Sequence, residues 1–498
     1  MSGGPNLSFV DLNLVTTFEQ GQQQAVDLPF MLDLRSFVLG VCIFASIGLS
    51  IGMITRHTLR GKRLLLKRDD LFSLDVAGTT LKLNGNKIRK LKSLERELLS
   101  SCKNIVVSYG GYQSNSMLAL SNVVSAMNKQ RSQDQHKLDF FYFSKPIPKW
   151  LKDADAAETN LNDPSSFVAK TNYGVAKRNG ARFVEVDAAS YEHLTFAAKS
   201  SKGFPSILTD TVMDAKKDSS KCSFSSSSVF FVPQGGALPE AAEGVKDMVD
   251  EVIEDLLHEQ NQQDQQDQQE ISKTKKGSDF ACADTNMDMD VKTKTKRKKR
   301  WVLAIASGTG TTAFYAHQRA QHRREELESR GLFLSIVALP CTDEKDIRRQ
   351  MAMLHASGSG SGSRNVSESS SERRARHGSA KAKGGEHNKS GEPLPLTVDS
   401  LDTGPSDHMP EILISEPRST RSGFSFAEPS REHYDLWKEV QSACDTVFDL
   451  VYSPRAFEVL FEHWDSLEQE GVGVVYYHCG GVEGNVSQEK RYERMKIY

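Results

Sequence analysis

One lysine lies where its charge is unfavourable, which makes it the first candidate for chemistry. The stretch GNKIRKL (85–91) places Asn86 where a helix N-cap would lie and Lys87 in the first helical turn. The amino end of a helix carries partial positive charge, and Arg89 and Lys90 follow directly. These surroundings predict a depressed pKa for Lys87, and a neutral amine is the form that condenses with an aldehyde to an imine.

A glycine-rich turn could hold the other end of such an aldehyde. The turn SGTGTT combines backbone freedom at its glycines with hydroxyl donors at the start of a helix, which is typical of a phosphate cradle. A phosphate cradle together with an imine-forming lysine predicts pyridoxal 5'-phosphate as the cofactor. The turn also fits a loose dinucleotide fingerprint (Gly308, Gly310, Ala313), but a nicotinamide cofactor would leave Lys87 without a role. The residues expected to bind phosphate are Ser307, Gly308, Thr309, Gly310, Thr311 and Thr312.

The apolar runs that must position these residues alternate with segments of helical period. This alternation predicts parallel strands with helices on both faces, an α/β fold of open twisted sheets. Functional residues in such sheets lie past the carboxyl ends of the strands, where the glycine-rich turns occur. The predicted strands are RLLLK (63–67), NIVVSY (104–109), LDFFYF (138–143), ARFVEV (181–186), SVFFVP (228–233), WVLAIA (301–306), LFLSIVALP (332–340) and VGVVYYH (472–478).

Composition excludes several classes of function. The net charge of the 498-residue chain is -2, so no global field favours nucleic acid. The seven cysteines are scattered and form no CxxC pair, which indicates neither a disulfide framework nor a zinc site. We therefore expect no bound metal and a reducing intracellular compartment, either the cytoplasm or an organelle. Residues 258–300 and 356–409 are too polar to bury a core, so we expect two disordered insertions.

A short apolar segment precedes the α/β region. Residues 36–55 (SFVLGVCIFASIGLSIGMIT) contain no charged side chain, and a run of about 20 apolar residues can span a bilayer. Acidic residues precede the segment and basic residues follow it, so a spanning helix would leave the C-terminal bulk in the cytosol. A buried helix or a mis-joined exon would give the same composition. A single-pass membrane anchor, preceded by a tail at 1–35, is therefore one of three interpretations.

Eight motifs occur in the same order as in a known family. The chain resembles the 1-aminocyclopropane-1-carboxylate deaminase and D-cysteine desulfhydrase family, pyridoxal-phosphate enzymes with the tryptophan-synthase-β fold. The resemblance implies a homodimer of two-domain chains that hold the cofactor between the domains. Residues 56–91 with 201–498 would form the larger domain, and 92–200 the smaller α/β domain. The motifs are KRDDL (67–71), NGNKIRKL (84–91), YGGYQSN (109–115), PKWL (148–151), VPQGGA (232–237), SGTGTT (307–312), FDLVYSP (448–454) and HCGGVEGN (478–485).

The resemblance also implies roles for single residues. Lys87 matches the lysine that forms the Schiff base, Asn115 matches the residue that hydrogen-bonds the pyridine 3-oxygen, and residues 307–312 match the phosphate loop. Ser114 matches a serine proposed to contact the substrate carboxylate or to act as nucleophile. Tyr452, which we expect to close an apolar strand FDLVY, matches an active-site tyrosine beside the substrate amine. The expected catalytic residues are Lys87, Ser114 and Tyr452.

Two positions depart from the family pattern. Ser453 stands where the deaminases have a glutamate that pairs with the pyridine nitrogen, and a neutral hydroxyl there makes the cofactor a weaker electron sink. Phe426, or less directly Phe424, stands where the deaminases have a second catalytic tyrosine, and phenylalanine cannot relay a proton. These changes put opening of a cyclopropane ring in doubt. The side chains expected beside the substrate are Gln113, Ser114 and Phe426.

The expected activity is pyridoxal-phosphate-dependent elimination on a small amino acid, with D-cysteine as substrate and pyruvate, ammonia and sulfide as products. Elimination needs a base and an electron sink, whereas ring opening needs further activated groups. The first alternative is a 1-aminocyclopropane-1-carboxylate deaminase, which would release 2-oxobutanoate and ammonia. The second is a non-catalytic, membrane-tethered protein that retains the cofactor and binds partners through its insertions.

Overall fold

The computed structural model describes residues 54–81, 85–101, 103–132, 136–157, 166–200, 228–278, 298–359, 409–413 and 426–497. The tail 1–35 and nearly all of the apolar segment 36–55 lie outside these ranges. Of that segment only Ile54 and Thr55 are described, and they begin a strand. Within the described ranges, none of the helices combines the length and the apolar character needed to cross a bilayer.

Each of the eight apolar runs predicted as strands forms a strand, with slightly different ends. The strands that the pattern did not predict are short or lie at an edge, where one face is polar. The strands are β1 Ile54–Leu59, β2 Lys62–Arg68, β3 Leu74–Val76, β4 Thr79–Leu81, β5 Ile105–Tyr109, β6 Asp139–Ser144, β7 Ala181–Glu185, β8 Val229–Val232, β9 Lys299–Ser307, β10 Leu332–Pro340, β11 Glu411–Ile412 and β12 Val472–His478.

One mixed sheet carries much of the candidate site. In the described residues, six strands form this sheet in the order β1-β2-β12-β9-β10-β11. All pairs are parallel except β1 with β2, which form an antiparallel hairpin at the edge. Alternate residues face opposite clusters, since Leu303 and Ile305 pack into one core while Val302 and Ala304 pack into the other. The sheet is therefore buried on both faces, as expected of parallel strands.

A second sheet is entirely parallel. Within the described part of the chain its four strands have the order β7-β6-β5-β8. Together the two sheets confirm the predicted α/β class. Strand β8 lies in the range 201–498 that was expected to form the larger domain, yet it pairs with β5 of this sheet. The sequence pattern did not predict that β8 pairs with β5, because Ile105 and its partner Val229 are far apart in the sequence.

Helices cover both faces of the six-stranded and the four-stranded sheet, while β3 and β4 form a separate two-stranded pair. The helices are α1 Asn86–Lys90, α2 Leu94–Ser100, α3 Asn115–Gln130, α4 Lys149–Ala157, α5 Phe167–Lys170, α6 Asn172–Arg178, α7 Ala188–Ser200, α8 Ala241–Ser278, α9 Thr311–His322, α10 Arg324–Ser329, α11 Glu344–Ser359, α12 Arg431–Cys444, α13 Ser453–Gln469 and α14 Asn485–Arg494. Apolar residues of α8 and α9 pack on one face of the six-stranded sheet, and those of α12 and α13 pack on the other. The four-stranded sheet lies between α3 and α7 in the same way.

The first predicted insertion begins later than its composition indicated. Residues 258–278 continue α8, so the expectation of disorder is wrong for them. Glu259 forms ion pairs with Arg56 and Arg63, and the buried Gln260 donates to Arg330 O at 3.4 Å. Glutamine and glutamate favour helix, and the apolar start of α8 anchors this polar continuation. The bulk of both insertions lies outside the described residues, which also place 356–359 in α11.

Candidate active site

A cavity of about 390 Å³ lies where five parallel strands end. Most of its lining comes from the turns that end or follow β5, β8, β9, β10 and β12, as the rule for open α/β sheets predicts, and the rest comes from α1 and from Phe426, Asp449 and Tyr452. Two predicted site residues, Gln113 and Ser453, are not part of this lining. The predicted residues that do line the cavity are Lys87, Ser114, Asn115, Ser307, Gly308, Thr309, Gly310, Thr311, Thr312, Phe426 and Tyr452.

The helix that carries Lys87 is short and begins differently from the prediction. Helix α1 spans Asn86–Lys90, and its N-cap is Gly85 rather than Asn86. Gly85 has φ +40, and a Cβ there would lie 2.5 Å from Asp69 O and 2.7 Å from Cys479 O. Only glycine therefore fits between the two strand ends. The N–H of Asn86 donates to Cys479 O at 3.0 Å, which ties the start of α1 to the turn after β12.

The amine of Lys87 faces the cavity. Among the described residues Nζ has no hydrogen-bond or ion-pair partner, and it lies 5.9 Å from the centroid of the Tyr452 ring. Removal from bulk water lowers the pKa of Lys87, and the nearby Cys479 and Asp449 offset this only in part. The lowered pKa was predicted, but its cause was not, because the prediction relied on neighbouring cations. A neutral amine is the form that attacks an aldehyde.

The cation at Arg89 is directed away from Lys87. Arg89 forms a two-point ion pair with Asp69 and also contacts Glu251. The expectation that Arg89 keeps the Lys87 amine neutral is therefore wrong. Helix α8 crosses α1 closely at Gly244, where a Cβ would lie 2.0 Å from Arg89 O. The buried pair and this close crossing fix the position of α1 and hence of Lys87.

Lys90 is a cavity residue that the sequence reasoning missed. Its side chain is buried, lines the cavity and donates from Nζ to Gly235 O. Burial and the nearby Lys87 lower the pKa of Lys90 well below its ordinary value. The spacing from Lys87 could have revealed it, because residues i and i+3 lie on the same face of a helix. Lys90 brings an amine to the same cavity as the glycine–threonine turn.

The turn 307–312 has the geometry of an anion cradle. It joins β9 to α9, and Gly310 is the N-cap of α9 with φ +71. A Cβ on Gly310 would lie 2.6 Å from Met351 Cε and 2.9 Å from Ile347 Cγ2, so side chains of α11 pack directly against the turn. The first N–H groups of a helix have no partner within the helix and can bind an anion. The Ser307 hydroxyl adds no donor to the cavity, because it donates to Ile305 O at 2.9 Å.

Ser114 is the N-cap of α3, the helix after β5. Its Oγ accepts hydrogen bonds from Ser116 N at 3.2 Å and Met117 N at 3.3 Å, as an N-cap residue does. The Ser114 hydroxyl also hydrogen-bonds the side chain of Tyr142, and Ser114 lines the cavity. Gln113, in contrast, accepts from Tyr173 N through Oε1 at 3.3 Å. Its side chain therefore contacts α6 rather than the expected substrate position.

Asn115 is held by carbonyl and amide groups at the cavity wall. Its Nδ2 donates to Gly481 O at 3.1 Å, and its Oδ1 accepts from Asn172 Nδ2 at 2.7 Å. A Cβ on Gly481 would lie 2.4 Å from Asn115 Nδ2, so this approach requires glycine. The amide nitrogen carries two hydrogens, and only one is used by Gly481 within the described part of the chain. A donor therefore remains for a ligand.

Tyr452 lies in a turn before α13, so the expectation that FDLVY forms a strand is wrong. Asp449 organises this turn: its carboxylate accepts from Val451 N at 3.1 Å, Tyr452 N at 2.6 Å and Ser453 Oγ at 2.6 Å. Such local bonding by aspartate competes with strand pairing. Burial, reinforced by Asp449, raises the pKa of Tyr452, so its hydroxyl stays protonated. Ser453 is buried against Asp449 and does not reach the cavity.

Phe426 lies beside Tyr452 at the cavity. The two ring centroids are 5.3 Å apart, and Phe426 is 43% exposed. Its position is held by the next residue, since Ala427 O accepts from Gln488 Nε2 at 3.0 Å and from an Arg491 guanidinium nitrogen at 2.7 Å. Phe426 is therefore the phenylalanine that meets Tyr452, while Phe424 lies outside the described residues.

The chain is similar to several solved structures, but it has no match by sequence. No protein-family model matches the chain, and no curated protein matches it. An ACC deaminase homologue is similar with a TM-score of 0.45 at 15% identity, over 92% of this chain and 99% of that chain. A hydrogen sulfide-producing enzyme from Fusobacterium nucleatum has a TM-score of 0.39 at 9% identity, over 87% of this chain and 97% of that chain. O-acetylserine sulfhydrylase isoform 3 from Entamoeba histolytica has a TM-score of 0.38 at 12% identity, over 90% of each chain.

Proposed function

We propose that the protein is a pyridoxal-phosphate-dependent enzyme that eliminates the β-substituent of a small amino acid, with D-cysteine as the substrate. One observation carries the proposal: a single cavity holds the anion cradle 307–312 together with the amine of Lys87, which has no hydrogen-bond partner among the described residues. An amine that can bond an aldehyde and a cradle that can bind a phosphate are the two features that pyridoxal phosphate requires.

The other polar groups of the cavity fit the same cofactor. Lys87 would bond its aldehyde, the N–H groups at the start of α9 and Lys90 would hold its phosphate, and Asn115 would donate to its 3-oxygen. Asn86 lines the cavity, and its buried Oδ1 has no partner among the described residues. A buried polar atom without a partner is costly, which supports a site that a ligand completes. Ser453 takes no part in the proposal, because its hydroxyl is bonded to Asp449.

Different residues of the cavity would remove the α-proton, contact the departing group and bind the substrate carboxylate. When bound, pyridoxal phosphate supplies the electron-withdrawing ring that makes the α-proton of an amino acid removable. Lys87 would take that proton, since its lowered pKa keeps a fraction of the amine neutral. The Tyr452 hydroxyl, held protonated, would donate a hydrogen bond to the departing thiolate. Ser114 and the N–H of Asn115 would orient the substrate carboxylate, because Ser116 N and Met117 N already donate to Ser114 Oγ.

Phe426 favours elimination over opening of a cyclopropane ring. It is the aromatic residue that contacts Tyr452 at the cavity, and it has no hydroxyl to polarise a distal carbon. The products distinguish the two reactions. We expect the purified chain with pyridoxal phosphate to release pyruvate and sulfide from D-cysteine and no 2-oxobutanoate from 1-aminocyclopropane-1-carboxylate.

The cofactor itself is tested by absorbance. The wild-type chain should show the visible band of a lysine-bound pyridoxal phosphate, and Lys87→Ala should lack it. A wild-type spectrum without this band would overturn the proposal. A visible band that D-cysteine does not change would favour the non-catalytic alternative, in which the cofactor is retained without turnover.

A further inference from the structure

We propose that Asn172 is a positioning residue that sets the orientation of the Asn115 amide and so presents an N–H, not a carbonyl oxygen, to the cofactor ring. The inference rests on the proposed function, since it concerns the same cofactor. Asn172 is the first residue of α6, is fully buried and is not part of the cavity lining. It would therefore act through Asn115 without touching the ligand.

Two backbone carbonyls determine the orientation of the amides. Asn172 Nδ2 donates to Gln113 O at 2.9 Å and to Asn115 Oδ1 at 2.7 Å. A backbone carbonyl can only accept, so the Asn172 atom that faces Gln113 O must be the nitrogen. The Asn115 atom that meets this nitrogen must then be its oxygen. Gly481 O on the opposite side requires the Asn115 nitrogen for the same reason.

The start of α6 holds Asn172 rigidly. Thr171 is the N-cap, and its Oγ1 accepts from Gly174 N at 3.1 Å. A Cβ on Gly174 would lie 2.0 Å from Val168 O, so the helix turn packs directly on backbone. Asn172 Oδ1 is buried and has no partner among the described residues. Burying this amide costs free energy, and the two hydrogen bonds that Asn172 donates offset this cost.

The orientation has a chemical consequence. The 3-oxygen of pyridoxal phosphate is stabilised as an anion by a hydrogen-bond donor and destabilised by a carbonyl oxygen. The ionised form absorbs in the visible range, and the form with a protonated oxygen absorbs in the near ultraviolet. The ratio of the two bands therefore reports whether Asn115 presents its N–H.

Asn179 provides a matched control on the same helix pair. It follows α6, and its Nδ2 donates to Ser121 Oγ at 3.1 Å and to Asn122 Oδ1 at 2.7 Å, both on α3. Asn172→Ala and Asn179→Ala thus each remove an amide with two hydrogen bonds that links α6 to the region of α3. Only the first contacts Asn115. Asn172 is fully buried and Asn179 is half-buried, so a merely structural role for Asn172 would lower stability more than Asn179→Ala does but would leave the cofactor spectrum unchanged.

The experiment uses the full chain loaded with pyridoxal phosphate. In Asn172→Ala we expect the visible-to-ultraviolet band ratio to fall and the dissociation constant of pyridoxal phosphate to rise about tenfold, the effect of losing one hydrogen bond to a charged group. Asn179→Ala should change neither. Asn115→Ala should shift the band ratio as well, and adding Asn172→Ala to it should cause no further shift.

The isosteric Asn172→Asp keeps the test decisive if Asn172→Ala does not fold. An ionised carboxylate cannot donate to Gln113 O or to Asn115 Oδ1, so it opposes the Asn115 orientation that Gly481 O favours, and the visible band should again decrease. Equal band ratios in the Asn172 variants and Asn179→Ala would overturn this inference alone. A wild-type chain that binds no pyridoxal phosphate would overturn the proposed function, and this inference with it.

Discussion

Arg89, which lies on the same helix as Lys87, forms a buried two-point ion pair with Asp69. Arg89 Nε lies 2.7 Å from Asp69 Oδ2, and a second guanidinium nitrogen lies 2.8 Å from Oδ1. Asp69 has no exposed surface and Arg89 is 2% exposed. Tyr477 donates to the same carboxylate, and Lys67 lies 3.5 Å from it. The pair therefore connects the end of β2 to α1 and β12, the elements that surround the candidate site.

Removal of Arg89 should be costly because it leaves a buried carboxylate without its main partner. We expect Arg89→Met to lower the free energy of unfolding by about 3–5 kcal/mol, measured by urea denaturation. Arg60→Met is the matched control, since Arg60 makes a two-point pair with Glu439 at 2.7 and 2.8 Å at an exposed position. That loss should stay below about 1 kcal/mol. Equal losses for the two variants would show that burial does not determine the strength of these pairs.

Lys87 should make the stability of the ligand-free chain depend on pH. Its pKa in the folded state is lowered from 10.5 by removal from bulk water, so between the two values the unfolded chain binds more protons. Stability should therefore rise with pH across this window and be lower below it. Lys87→Met should reduce this slope, leaving the part that comes from Lys90, and stabilise the ligand-free chain at neutral pH by about 1 kcal/mol. Urea denaturation at several pH values, with the exposed Lys170→Met for comparison, tests this; parallel profiles for the two variants would contradict it.

Gly244→Ala should destabilise the protein although it lies inside α8. Alanine normally stabilises a helix interior by about 1 kcal/mol relative to glycine. Here the added Cβ would lie 2.0 Å from Arg89 O and 2.8 Å from Arg89 C, and a backbone group cannot rotate away. We expect a loss of about 2–3 kcal/mol in the free energy of unfolding and weaker binding of pyridoxal phosphate, since α1 must shift. A gain in thermal stability would show that the two helices do not cross this closely.

Gly180→Ala is a useful comparison for that experiment. Gly180 has φ +90, and a Cβ there meets nothing within 4 Å. Its substitution should cost about 1 kcal/mol through backbone strain and leave pyridoxal phosphate binding unchanged. The difference between the two variants isolates the steric effect of the α1–α8 crossing.

Tyr452→Phe should reduce turnover without affecting cofactor binding. The ring contacts Phe426, and a Cβ on Gly308 would lie 3.0 Å from its Cε1, so phenylalanine keeps the packing. Loss of a hydroxyl that hydrogen-bonds the departing thiolate should lower kcat on D-cysteine by about 100-fold. The absorbance spectrum with pyridoxal phosphate is the control and should match that of the wild type. An unchanged kcat would exclude Tyr452 from stabilising the leaving group.

Local sequence was sufficient for the elements that depend on neighbouring residues. The run SVFFVP predicts a buried strand because its apolar side chains cannot be placed otherwise, and SGTGTT predicts a sharp turn because its glycines permit it. Lys87 was identified by an unfavourable charge within a single turn of helix. These features depend on residues a few positions apart, and the structure contains each of them.

Local sequence was misleading where a side-chain or tertiary contact competes with the backbone conformation that the composition favours. FDLVY has the composition of a strand, but Asp449 binds three donors and holds a turn. Residues 258–278 have the composition of a disordered segment, but α8 extends through them and Gln260 is buried. In both cases a tertiary or side-chain contact outweighed the local preference.

The sequence alone determined the α/β scaffold that brings strand ends together, and it predicted the type of site, a reactive lysine with an anion-binding turn. Only the tertiary structure decided which groups surround these parts. Lys90 and Asp449 at the cavity, the ion pair of Arg89 with Asp69, and the contact of Asn172 with Asn115 all emerged from the folded chain. The physical reason is that hydrogen bonds and burial depend on distances between atoms far apart in sequence, and packing of the whole chain sets those distances.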